Sequence, residues 1–160
     1  MSVQFGEKLG WVTSLGANDS SPRETVGIRR VELSPTGGRK IYTYVKNGES
    51  ATAFADGEVI KWDNAGTGVA KRAGAAGDLI CGVAIGVITA GNYGWVQVYG
   101  LHSAIKSAAS TAAGDAIIAA AAATGGRVAK NTAPTHQVVA WATAARNDTA
   151  NTNAGFIVAI

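Results

Sequence analysis

Residues 79–105 contain no Asp, Glu, Lys or Arg, and this stretch constrains the fold more than any other. On length alone it could be a membrane-spanning helix of ~20 residues. Five glycines, at 82, 86, 91, 94 and 100, fall inside it, each costing up to ~1 kcal/mol in a helix relative to Ala. Gly91-Asn92-Tyr93-Gly94 reads as a turn. After it, Trp95-Val96-Gln97-Val98-Tyr99 alternates, with Trp95, Gln97 and Tyr99 on one face and the two valines on the other. Strands around a tight turn are therefore expected here, and no membrane span.

The rest of the chain follows the same grammar. Lys40-Ile41-Tyr42-Thr43-Tyr44-Val45 alternates and stops at Asn47-Gly48, a dipeptide suited to the positive dihedrals of a tight hairpin. Glu58 to Trp62 follows the Asp56-Gly57 turn, Leu79 to Ile88 is rich in Val and Ile, and His136 to Trp141 and Phe156 to Ile160 complete the series. Short strands with glycine-rich turns predict an all-β protein, a small sandwich or barrel. The expected core is Val83, Ile85, Val87, Val96, Val98, Val139 and Ile157. Asp115 to Thr124 is helical on propensity, but Gly114 and Gly125-Gly126 bracket it too closely for an independent helix. A strand and hairpin are expected there.

That reading draws on an internal echo. Ala55-Asp56-Gly57-Glu58-Val59-Ile60 matches Ala112-Ala113-Gly114-Asp115-Ala116-Ile117, and Val69-Ala70-Lys71 matches Val128-Ala129-Lys130. Val83-Ala84 matches Val139-Ala140, and Gly94-Trp95-Val96 matches Gly155-Phe156-Ile157. Offsets of 57, 59, 56 and 61 are near constant, as expected for two similar units packed into one sandwich or closed barrel.

Composition narrows the function. Net charge is only +3, without the clustered basic face of a nucleic-acid protein. Tyr42 and Tyr44 with Lys40 and Lys46 could stack bases, but tyrosines on a half-buried strand explain them as well. The single Cys and two His give no disulfide or multi-thiolate metal site, and no metal or cofactor is expected. Cys81 sits in an apolar run, His102 has no catalytic neighbours in sequence, and Gly66-Thr67-Gly68 lacks the Lys-Ser/Thr of a phosphate loop. The carboxylates Asp56, Glu58 and Asp63 read as turn and strand-end residues. No enzyme activity is expected.

Charge is also unevenly spread. Residues 1–80 hold 19 charged side chains and residues 81–160 only 6, far fewer than a solvated surface normally carries. Either that half is covered by partners or its surface is built from Ala, Gly, Ser, Thr and Asn. The covered surface, and hence a homo-oligomer, is expected, with Ala- and Thr-rich segments 104–123 and 137–145 at the contacts. Residues 1–38 differ from the remainder: irregular apolar anchors between glycines and a polar run, too little apolar surface to fold alone. They are expected to be an N-terminal arm or peripheral strands, with residues 39–160 as the β domain. No basic segment followed by an apolar stretch opens the chain, so synthesis in the cytoplasm without export is expected.

One further pattern carries information. Gly77-Asp78-Leu79-Ile80, the run from Gly82-Val83-Ala84 through Ala90-Gly91-Asn92-Tyr93-Gly94 to Trp95-Val96-Gln97-Val98-Tyr99-Gly100, and then Ala112-Ala113-Gly114-Asp115 resemble the small structural proteins of tailed bacteriophages. Arg39 to Val45 followed by Gly57-Glu58-Val59 is similar to that family's N-terminal strands. The resemblance covers residues 38–130 well, the last thirty weakly and the first 37 hardly at all. It implies a capsid decoration, or cement, protein. Such a protein binds the major capsid protein on the outer surface of the expanded head, commonly as a trimer, and ties capsomers together against DNA pressure. On that reading the N-terminal arm would lie on the shell, carrying Phe5, Trp11, Arg23, Arg29 and Arg30 into contact. The alternative is a glycan- or receptor-binding module of a head or tail fibre, with Trp62, Asn92, Tyr93 and Trp95 as its platform.

Overall fold

The computed structural model describes residues 12–33, 38–120, 125–132, 137–145, 147 and 151–159. Ten strands build the fold: β1 (Arg29–Leu33), β2 (Arg39–Asn47), β3 (Val59–Asn64), β4 (Val69–Arg72), β5 (Ile80–Ala84), β6 (Tyr93–Lys106), β7 (Ala116–Ala119), β8 (Val128–Lys130), β9 (Ala140–Ala142) and β10 (Thr152–Val158). A single 3-10 turn at Ala65–Thr67 is the one helical element among the described residues. The all-β expectation holds, and the described part of 115–124 is the strand β7, paired in a hairpin with β8.

All ten strands belong to one sheet, in the order β1-β2-β4-β3-β5-β6-β10-β9-β7-β8. β2 also pairs with β6. With the parallel pairing of β2 to β4 and the antiparallel pairings β4–β3, β3–β5 and β5–β6, this closes a five-stranded barrel. Val45, Phe54, Ile60, Cys81, Ile88, Val96 and Val98 are among the residues that fill it. The sheet then runs on from the second half of β6 into β10, β9, β7 and β8, and a parallel bridge from Ser107 to Val128, with Ala108 N donating to Val128 O at 2.8 Å, returns β8 to the end of β6.

The extension repeats the barrel's own order. β4-β3-β5-β6 and β8-β7-β9-β10 have the same strand sequence and pairing sense, meeting where β6 pairs with β10. Ile60 pairs with Arg72 and Gly82; Ile117 pairs with Lys130 and Ala140. Val83 faces Gln97 and Trp141 faces Phe156. The echo in the sequence is thus structural, with a corrected register: offsets of 57, 58, 58 and 59. Trp141, not Val139, stands where Val83 does, and Phe156 corresponds to Gln97 rather than Trp95.

Each unit opens on the same carboxylate-closed turn. In Ala55-Asp56-Gly57-Glu58, Glu58 N donates to Ala55 O at 3.1 Å, and Ala55 N donates to Glu58 Oε2 at 2.9 Å. In Ala112-Ala113-Gly114-Asp115 the corresponding distances are 3.2 and 2.8 Å. Gly57 and Gly114 supply the positive φ, 78° and 87°, that such a turn requires. A third turn, Ala75-Ala76-Gly77-Asp78, has the same pair of bonds at 3.1 and 2.8 Å. A lysine salt-bridges each carboxylate: Lys106 on Glu58, Lys61 on Asp78 and Lys130 on Asp115.

The faces of the two units are covered unequally. The outer side of the barrel unit packs Val59, Ile80 and Val83 against Ile105, Ile117, Val139 and Ile157, forming a second core between the units. A third core is Tyr42, Tyr44 and Trp95, packed by Leu15, Val26 and Ile28 of the N-terminal segment. Burying apolar side chains this way contributes ~1.5–3 kcal/mol for each large residue.

Three expectations need correction. Val83, Val96, Val98, Val139 and Ile157 are buried, but Ile85 is half-buried and Val87 is 53% exposed. β5 ends at Ala84, and the positive φ of Gly86, 72°, breaks the alternation assumed to run to Ile88. Asn47-Gly48 makes no hairpin, because β2 runs parallel to β4. Asn47 is instead a buried clamp, its Nδ2 donating to Thr52 O and Ile88 O and its Oδ1 accepting from Glu49 N. Finally, Val98 is an extra residue in the β2–β6 ladder: Tyr42 pairs with Gln97, yet Ile41 pairs with Tyr99. This bulge turns Tyr99 onto the Ile41 side, away from Trp95.

Candidate interaction surface

The N-terminal segment is anchored to the barrel by polar contacts as well as apolar ones. Tyr44 Oη donates to Asp19 Oδ2 at 2.6 Å, and Trp95 Nε1 donates to Thr13 Oγ1 at 3.0 Å. Within the segment itself, Val12 N donates to Glu24 Oε1 at 2.8 Å. Burial, followed by the hydrogen bond to Asp19, pushes the Tyr44 phenol well above its usual range. β1 extends this contact by pairing with β2 along its length.

This placement separates the arginines expected to contact a shell. Phe5 and Trp11 lie outside the described residues. Arg23 is exposed, 3.7 Å from Asp19. Arg29 is exposed on β1, sharing a face with Val31 and Leu33. Arg30 points to the other side, where Nη1 donates to Thr13 O at 3.1 Å, Nη2 bonds the Glu32 carboxylate, and the guanidinium lies 5.9 Å from the Trp95 ring.

Other residues considered for chemistry have structural surroundings. Cys81 is in the barrel core, where burial pushes its thiol far up. His102 is buried, and that burial holds its imidazole below the usual range; its Nδ1 accepts from Ala104 N at 3.1 Å. At Asp78, burial would raise the carboxyl, but bonds from Gly74 N, Lys61 and Ala75 N hold it below the carboxylate range. Asp115 is lowered by Ala112 N and Lys130. Gly66-Thr67-Gly68 belongs to the 3-10 turn capped by Asn64. Tyr42, Tyr44 and Trp95 are covered by the N-terminal segment, so the tyrosines offer no open base-stacking platform and Trp95 is withdrawn from the glycan platform, whose Trp62, Asn92 and Tyr93 are half-buried. Among the described residues no group of three His, Cys, Asp or Glu could hold a metal, and no helix is long and apolar enough to cross a membrane.

A different surface is open. Beyond the Val98 bulge, β1, β2, β6, β10 and β9 lie side by side, and their paired residues align across one face. Val31 faces Ile41, Ile41 faces Tyr99, and Tyr99 faces Val158. Leu101 faces Phe156, which faces Trp141. The rings of Tyr99 and Phe156 meet edge-on at 5.1 Å, and the Arg39 guanidinium lies 5.5 Å from Tyr99. Leu33 is 82% exposed, Leu101 52% and Trp141 49%. Sequence reasoning misses this face because Val98 inverts the alternation of β6, and because the echo matches Val83 to Val139, two residues short of Trp141. The available signal was Trp141-Ala142 and Gly155-Phe156, aromatics on short strands without a bulky neighbour to cover them.

No protein-family model matches the chain, and no curated protein is similar to it in sequence. Among solved structures it is similar to the N base of the head fiber gp8.5 of bacteriophage phi29, with a TM-score of 0.55 and 11% identity over 75% of this chain and 95% of that one. At that identity the likeness is one of fold.

Proposed function

We propose that the protein is a structural component of a tailed-phage virion, attached to the outer surface of the head. The observation that carries this reading is the fold likeness to a head fiber base, which extends over 95% of that chain. The resemblance of residues 38–130 to phage structural proteins supports it independently. Within this reading the protein acts as a decoration, binding the major capsid protein and bridging neighbouring capsomers. Its sheet, with three apolar cores for a chain of 160 residues, suits a rigid clamp. A closed trimer belongs to the same reading, since a cyclic assembly covers charge-poor surface without open-ended growth. Exposed Ala, Ser and Thr residues within 108–113 and 143–145 are suited to its contacts.

The test is mixing. Heads prepared from particles lacking this chain are incubated with the purified protein and sedimented. Saturable co-sedimentation at a fixed ratio to the shell protein, with heads more resistant to heat or chelator, is expected. Absence of binding, together with absence of the chain from purified particles, would overturn the reading.

A further inference from the structure

We propose that the open face of β1, β2, β6, β10 and β9 is the surface that meets the shell, and that its partner is an acidic protein surface with an apolar centre. This rests on the head-attachment reading and names the contact that reading leaves unplaced. The equivalent side of the barrel unit is covered, since Val83 is buried between the units, whereas Trp141 at the matching position is half exposed. Around Trp141, the residues Leu101, Phe156 and Tyr99 form a continuous apolar and aromatic row. Aromatic clusters rimmed by arginine are the usual composition of an interface centre.

Charge chooses the occupant. Arg29 and Arg39 flank the row, and the paired positions that share this face carry no carboxylate. The nearby Glu32 lies on the opposite side of β1, bonded to Arg30. A second copy docking through the same face would bring arginines toward arginines, which opposes association. An acidic partner gains from both guanidiniums and from covering the apolar row, and such steering weakens with salt.

The experiment uses the full chain carrying a photo-crosslinking side chain in place of Leu101, mixed with heads lacking the protein and irradiated. Crosslinks to shell-protein peptides are expected, and the same group in place of the exposed Leu79 should give few. Crosslinks from position 101 to peptides of this chain, whether from a second copy or from its own first residues, would overturn the assignment. In parallel, the double variant Arg29→Glu/Arg39→Glu should lose at least tenfold in head affinity, with unchanged circular dichroism and melting temperature. The wild-type affinity itself should fall as salt rises. Wild-type binding with full binding of the double variant would sink the face assignment and leave the head reading standing. Failure of the wild type to bind would remove both.

Discussion

The two four-stranded units share strand order, pairing and opening turn, yet they differ in what covers them. In the barrel unit, one face closes on the barrel interior through Ile60, Val96 and Val98, and the other packs Val59 and Val83 against the second unit. The second unit uses its corresponding inner face, Ile117, Ala140 and Ile157, for that contact. Its outer face carries Trp141 and Phe156 toward solvent. β2 closes the first unit, and the second half of β6, with a parallel bridge from Ser107 to Val128, closes the second; the N-terminal segment covers only the first. The same local code thus builds one unit whose outer face is covered and one whose outer face is open. Selection for folding alone would not favour an exposed tryptophan in the second, whereas selection for docking would.

The largest test of this contrast is truncation at buried and open aromatic positions. Phe54→Ala, inside the barrel, should cost ~3–5 kcal/mol of unfolding free energy. Trp141→Ala should cost ~0.5 kcal/mol or less, because the side chain is half in water already. Urea denaturation of both variants measures this. Equal costs would mean that the open face is part of the core.

The opening turns provide the next comparison. A Cβ on Gly57 would lie 2.1 Å from Ala104 O, whereas nothing lies within 4 Å of one on Gly114. Gly57→Ala adds a backbone clash to the positive-φ penalty and should cost ~3 kcal/mol or more. Gly114→Ala carries the dihedral penalty alone, ~1–2 kcal/mol. An effect of similar size to that of Gly114→Ala, ~1–2 kcal/mol, is expected for Tyr44→Phe, which removes the bond to the Asp19 carboxylate. Limited proteolysis should then cut earlier within residues 12–28.

The smallest effects concern pH. The folded-state carboxyls of Asp78 and Asp115 lie below their ordinary values, so both stabilise the fold in the charged form. That contribution is complete above the unfolded carboxyl range, near pH ~4, and is lost as pH falls through the lowered folded values. Melting temperature should therefore drop below pH ~4, and Asp78→Asn with Asp115→Asn should flatten that drop. An unchanged pH profile in the double variant would show that the turn carboxylates contribute nothing.

The sequence made the fold class legible for a physical reason: glycines at 82, 86, 91, 94 and 100 forbid a helix wherever the charge-free run would allow one. The repeated Ala-x-Gly-acid turn was legible too, because its hydrogen bonds need those residue types. Ring closure was not. It depends on the parallel pairing of β2 with β4 and on the bulge at Val98, and neither leaves a local signature. The open face depends on the same bulge, so simple alternation puts Tyr99 on the wrong side, and the echo matches Val83 to Val139 instead of Trp141. Arg29 and Arg30, adjacent in sequence, were read as one patch, although alternation along β1 places them on opposite faces.

The most direct test of the account is a particle reconstruction of heads bearing this chain, at a resolution that places the strands. The account predicts density on the outer shell, with β6, β9 and β10 turned toward the capsid so that Leu101, Trp141 and Phe156 are covered. Density with that face turned to solvent, or with the chain absent from the outer surface, would contradict it.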